Sequence, residues 1–181
     1  SGHVSFHKMR ARISANTCRP RRFFTLLRDP VKQLRSHYNW LIEIYNRGGS
    51  FYEGHPQRIK EISEAIRSAN NDDPSCIVQQ IMAAPGLFLN QQSRLVLGEL
   101  PNSYSDIEFK NRLSVYDQVA IEASLPGFAE ALSGLPYEDI RRANASPYHF
   151  DKRVFESDIM RAFIKKHCAA DIALYQYLKN R

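Results

Sequence analysis

Phe23-Phe24-Thr25-Leu26-Leu27-Arg28-Asp29-Pro30-Val31-Lys32-Gln33-Leu34-Arg35-Ser36-His37-Tyr38 reads as a short apolar strand, an Arg-Asp-Pro corner and the start of a helix. Aromatic, β-branched and aliphatic residues fill Phe23 to Leu27, which suits a buried strand. Pro30 has its φ preset for a first helical turn, and Asp29 is of the type that caps one. In open α/β sheets, a strand end feeding a helix N-terminus is where phosphates bind, because unpaired N–H groups and the helix dipole point at the anion. Arg28 and Ser36 flank the corner as a fork-shaped cation and a hydroxyl, a pair suited to one phosphate. The plainer alternative is an ordinary strand–turn–helix with a solvated Arg, and Arg-Asp-Pro alone would favour it.

Working outward, residues 31–46 place Val31, Leu34, His37-Tyr38, Leu41-Ile42 and Tyr45 three or four apart, the spacing of a helix that buries one face. Gly48-Gly49 is expected to stop it. Further helices are expected over 57–69 (Ile59, Ile62 and Ile66 inward), 74–84 behind Asp73-Pro74, and 87–97. Residues 100–112 read as loop with a few turns. A short strand near 117–121 precedes a helix over 124–133 and a short one near 137–142. Two closing helices fit 151–166, with Phe155, Ile159 and Phe163 as its apolar stripe, and 168–179, with Ile172, Tyr175 and Leu178 on one face. No repeat, low-complexity tract or long linker divides the chain, so its 181 residues are expected to form one domain with room for a real core.

The composition, 43% hydrophobic and 24% charged, is that of an ordinary globular protein. No apolar run approaches the length of a membrane span, and no secretory signal is visible. Cys18, Cys76 and Cys168 share no metal spacing and cannot all pair, which favours a reducing, cytoplasmic setting; a Golgi lumen would require an N-terminal anchor. His3 and His7 are four apart but have no third ligand nearby, so no metal site is expected. The net charge of +6 is uneven: residues 1–35 carry nine Lys or Arg against Asp29 alone, and the remainder sums to −2. A basic segment around a phosphate corner favours polyanionic partners, namely a nucleotide, an acidic sugar or nucleic acid. A basic module docking nucleic acid through residues 8–22 is one alternative, but no helix-turn-helix, zinc finger or stacking platform accompanies it.

The full Arg28-to-Tyr38 run resembles the 3′-phosphate-binding segment of sulfotransferases that use 3′-phosphoadenosine 5′-phosphosulfate (PAPS), in which a Ser eight residues after the strand-end Arg shares the nucleotide's 3′-phosphate. The following Ser-His-Tyr is similar to the carbohydrate-directed branch, which includes the uronyl and heparan sulfate 2-O-sulfotransferases. Gly2-His3-Val4 resembles that branch's Gly-His-Val segment, whose His is the proposed general base. Asn90-Gln91-Gln92-Ser93-Arg94 resembles its Asn-x-x-x-Arg floor segment. Tyr116 to Glu122 resembles its late strand, with Ala120 at the usual Gly. Asn144-Ala145-Ser146 and Asp171-Ile172-Ala173-Leu174-Tyr175 resemble its last two motifs, and all of these fall in the family's order.

The resemblance implies a helix-rich α/β protein with a P-loop-NTPase-like sulfotransferase fold and a sparse parallel sheet. It implies PAPS as co-substrate, held by Arg28 and Ser36, a carbohydrate hydroxyl as acceptor, His3 as catalytic base, and Arg35 and Arg94 as acceptor contacts. The family's N-terminal strand and 5′-phosphosulfate loop have no counterpart here, since Gly48-Gly49-Ser50 follows a helix. The sequence is therefore expected to be the C-terminal three quarters of a complete domain. A sulfotransferase-fold pseudoenzyme without catalysis is the alternative that the missing loop supports.

Overall fold

A computed structural model of the protein describes residues 22–98, 100, 104–139 and 147–181. In chain order the elements are β1 (Phe24–Leu27), α1 (Pro30–Arg47), α2 (Gly49–Glu53), α3 (Gln57–Ser68), α4 (Pro74–Ala83), α5 (Pro85–Phe88), α6 (Gln91–Leu97), α7 (Asp106–Leu113), β2 (Gln118–Ile121), α8 (Leu125–Ser133), α9 (Asp158–His167) and α10 (Ala169–Lys179). Short 3₁₀ turns cover Glu122–Ser124, Tyr137–Asp139 and Lys152–Glu156. The protein is helix-rich α/β with a small parallel sheet, and among the described residues no helix is long and apolar enough to cross a membrane.

The chain divides into two compact units. The first comprises the described parts of Ser1–Asp29, Asn90–Arg141 and Ala169–Arg181. In it β1 and β2 pair in parallel, Leu27 opposite Ile121, and the Phe23 N–H donates to Asp117 Oδ2 at 2.6 Å where the pairing begins. Leu27, Val96, Leu97, Phe109, Leu113 and Leu174 form the buried core, with Tyr116, Val119, Ala173, Tyr177 and Leu178 packed around them. The Tyr116 hydroxyl reaches the Val96 carbonyl at 2.9 Å, so a ring that is half in the core keeps its polar end satisfied.

The second unit takes Pro30–Leu89 and the described part of Arg142–Cys168. Helix α1 is its spine and packs chiefly on α3; Ser63, fully buried on α3, donates its hydroxyl to the Leu41 carbonyl. Tyr38 is fully buried among Phe88, Phe150 and Phe155, and its hydroxyl donates to Asn71 Oδ1 at 2.7 Å. Asn39, the next residue, grips the 147–149 segment by both ends of its amide: Nδ2 donates to the Pro147 carbonyl at 2.9 Å and Oδ1 accepts the His149 N–H at 3.0 Å.

Several elements differ from the sequence reading. Residues 106–113 form a helix, not a loop: Ser105 accepts the Glu108 N–H, Phe109 and Leu113 turn inward four apart, and Glu108 pairs with Arg112 at 2.5 Å. The expected 87–97 helix breaks at Asn90, which has a φ of 51°. The helix expected over 151–166 opens as a 3₁₀ turn and begins again at Ser157, whose hydroxyl accepts the Met160 N–H. Its inward stripe is Met160, Phe163 and Ile164, while Ile159 is half exposed. Tyr45 likewise faces solvent, and helix resumes at Gly49, after Gly48 takes a φ of 56°. On α10 Ala170, Asp171 and Leu174 are buried and Leu178 packs on the core, while Ile172 and Tyr175 are only partly buried.

Phe109 is the largest fully buried side chain of the first core. Phe109→Ala is expected to lower stability by about 3–5 kcal/mol in urea unfolding followed by far-UV circular dichroism; a loss below about 1 kcal/mol would place the core elsewhere.

Candidate functional site

Parallel pairing sets the geometry at the end of β1. With Leu27 opposite Ile121, the next residues along the two strands are Arg28 and Glu122, and Arg28 Nε lies 3.6 Å from Glu122 Oε1. The Arg28 side chain is 47% exposed. An ion pair this long and this solvated contributes at most about 1 kcal/mol.

The main chain of Arg28 is held much more firmly. Gln92, 7% exposed, accepts the Arg28 N–H through Oε1 at 2.8 Å and donates Nε2 to the Arg28 carbonyl at 2.9 Å. The primary amide thus acts as one further rung of strand pairing and fixes both polar groups of the residue that ends β1. Gln92 in turn is positioned by a reciprocal pair of caps. Asp171, at the start of α10, accepts the Gln92 N–H at 3.3 Å and the Ser93 N–H at 2.7 Å, two of the orphan donors of α6. Asn90, just before α6, accepts the Ala170 N–H at 3.0 Å and the Asp171 N–H at 3.3 Å, two orphan donors of α10. The left-handed backbone of Asn90, which Asn tolerates better than most residues, belongs to this arrangement.

Of the residues singled out from the sequence, the first unit holds Arg28 and Arg94. Arg94 lies on α6, with an exposed side chain whose charge acts on the Asp171 carboxylate. The second unit holds Arg35 and Ser36, both partly buried on α1. Ser36 follows Arg28 by eight residues, and α1 begins at Pro30. His3, Cys18, Asn144 and Ser146 lie outside the described residues. Among the described residues no group of three His, Cys, Asp or Glu side chains gathers as a metal set.

Sequence reasoning took Asp171 for part of a packing motif and did not single out Gln92. Both are buried polar groups tied to main chain; Asp171 stands out within the apolar run Ala169 to Leu174, whereas Gln92 sits among polar residues and gives no such signal. A third cluster, in the second unit, also went unread. Glu43, largely buried, accepts from Arg47 Nε at 2.7 Å and from His149 Nε2 at 2.5 Å. The Arg47 bond, and then the His149 bond, hold the Glu43 carboxyl below its ordinary range. His149 Nδ1 meets Asn46 Nδ2 at 3.2 Å, and Asn46 Oδ1 accepts from Arg67. Both ring nitrogens are engaged, so His149 fastens its segment to α1.

Comparison with protein-family models, curated proteins and solved structures finds no match.

Burial pushes the Asp171 carboxyl above the ordinary Asp range, against the pull of the Ser93 and Gln92 N–H groups and the Arg94 charge. The folded chain therefore binds this proton more tightly than the unfolded chain. The stability linked to it is full below the ordinary Asp value and is lost as pH rises through the raised one. Asp171→Ala strands two buried N–H groups and is expected to lose about 2–4 kcal/mol in urea unfolding at pH 7. Asp171→Asn keeps one acceptor, so it should lose less and should also remove this pH slope. Equal losses in the two variants would refute the capping role.

Proposed function

We propose that this chain is the 3′-phosphate-binding part of a PAPS-dependent sulfotransferase acting on a carbohydrate hydroxyl, with the sulfotransferase variant of the P-loop-NTPase-like fold. The observation that carries the reading is the strand-end arginine: Arg28 has its main chain clamped by Gln92 while its side chain stays about half exposed. That combination suits an anion receptor, because the backbone is fixed in advance and the exposed charged fork can meet a phosphate from solvent. The uninterrupted passage from Arg28 through Pro30 into a helix bearing Ser36 agrees with the spacing that the family resemblance requires.

In this reading Arg28 and Ser36 hold the 3′-phosphate. His3 takes the proton from the acceptor hydroxyl as the new S–O bond forms in line with the bond that breaks. The electron pair of the breaking bond stays on the 5′-phosphate, so adenosine 3′,5′-bisphosphate leaves. Arg35 and Arg94 are the proposed acceptor contacts. Nucleic acid is the less favoured polyanion, since the sequence carries no recognisable helix-turn-helix or zinc finger.

Calorimetric titration with adenosine 3′,5′-bisphosphate tests this. The wild-type chain is expected to bind saturably, Arg28→Ala to lose at least about tenfold in affinity, and Glu122→Gln to bind as well or better, because it removes a negative charge beside the phosphate. Identical affinity in wild type and Arg28→Ala would remove the reading.

A further inference from the structure

A second set of cations, in the unit built around α1, carries an inference independent of the nucleotide. The Arg35 side chain is only 16% exposed, yet its fork is poorly satisfied. Nη1 lies 3.5 Å from Glu156 Oε1, the outer limit of a hydrogen bond, and Nε is buried with no hydrogen-bond partner. The guanidinium carbon sits 5.5 Å from the centroid of the Tyr148 ring. Lys152 Nζ lies 4.7 Å from the same centroid, so both cations lie against one ring and are at most about 10 Å apart.

Asp151 and Asp72, the carboxylates tied to this segment, already have partners. Asp151 chelates the Arg153 guanidinium, with Nη2 at 2.6 Å, and accepts the Arg153 N–H. Asp72 accepts the Asp151 N–H at 3.1 Å. Lys152 has no carboxylate at ion-pair distance among the described residues, and Glu156 is 56% exposed. A mostly buried guanidinium with an unmade hydrogen bond is costly, and a second positive charge against the same ring adds to that cost. Glu156 offsets it weakly.

We propose that Arg35, Lys152 and Tyr148 form a receptor for a small oxyanion, a carboxylate or a sulfate group, which takes the place of Glu156 at the Arg35 fork. A planar or tetrahedral oxyanion offers two oxygens at the spacing of the guanidinium N–H groups, a match that the Glu156 carboxylate does not make at 3.5 Å. Lys152 supplies the second charge, and the Tyr148 ring holds both cations by cation–π attraction. Glu156 occupies the fork when the oxyanion is away and swings into solvent when it arrives. The site stands whether or not the chain binds a nucleotide.

The test follows the arginine Nε–H resonances of the full chain by ¹H–¹⁵N spectroscopy, with the Arg35 signal assigned by its loss in Arg35→Lys. Sodium sulfate, sodium acetate and sodium chloride are titrated at matched ionic strength. The Arg35 signal is expected to move saturably with sulfate, acetate or both, and not with chloride. A response to sulfate alone assigns a sulfate ester as the ligand group; a response to acetate alone assigns a carboxylate. Lys152→Ala should weaken the binding roughly threefold and Glu156→Gln should tighten it roughly threefold. Both are exposed surface positions, so these variants leave the fold in place. A shift that chloride reproduces, or affinities unchanged in both variants, overturns the proposal.

Discussion

Asn90 and Asp171 each cap the helix that carries the other, and the first unit depends on that exchange. Two helices separated by most of the second half of the chain meet end to end, N-terminus against N-terminus, where their dipoles and orphan N–H groups would otherwise repel and go unsatisfied. A buried carboxylate answers one end and a primary amide the other. The same contact aims Gln92 at the last residue of β1. The strand end thus owes its position to helix capping as much as to its short pairing with β2.

This arrangement separates two demands that a binding arginine must meet. Its backbone has to be rigid, since every residue ordered on binding subtracts from affinity. Its guanidinium has to be available. Gln92 meets the first demand through the main chain, and the exposure of the side chain to solvent bears on the second. In the second unit Arg35 illustrates the opposite balance: its side chain is packed away, and its fork is left without a good partner.

Much of this was legible in the residues. Phe23 to Leu27 followed by Pro30 announced β1 and α1, and the short run around Val119 and Ala120 announced β2, because apolar pattern and proline are local signals. Arg28 stood out for the same reason. What escaped was non-local. Asn90 looked like a mid-helix residue, and only the distant Ala170 and Asp171 N–H groups explain why the helix breaks there. The 106–113 helix was missed although Ser105 and Glu108 form a Ser-x-x-Glu start, a signal outweighed by the turn-forming residues before it. Ile159 and Tyr45 were assigned inward by spacing, but adjacent positions on the same helices, Met160 and Ile44, fill the core instead.

The most direct test of the central claim is amide hydrogen exchange at Arg28 in an Asn90→Gly variant. Glycine keeps the left-handed backbone and removes only the side chain that caps α10. If the cap holds the strand end through Gln92, the Arg28 amide loses protection together with those of Gln92, Ser93, Ala170 and Asp171. If Ala170 and Asp171 exchange faster while the Arg28 amide keeps its wild-type protection, the strand end is fixed by β2 alone and the account is wrong.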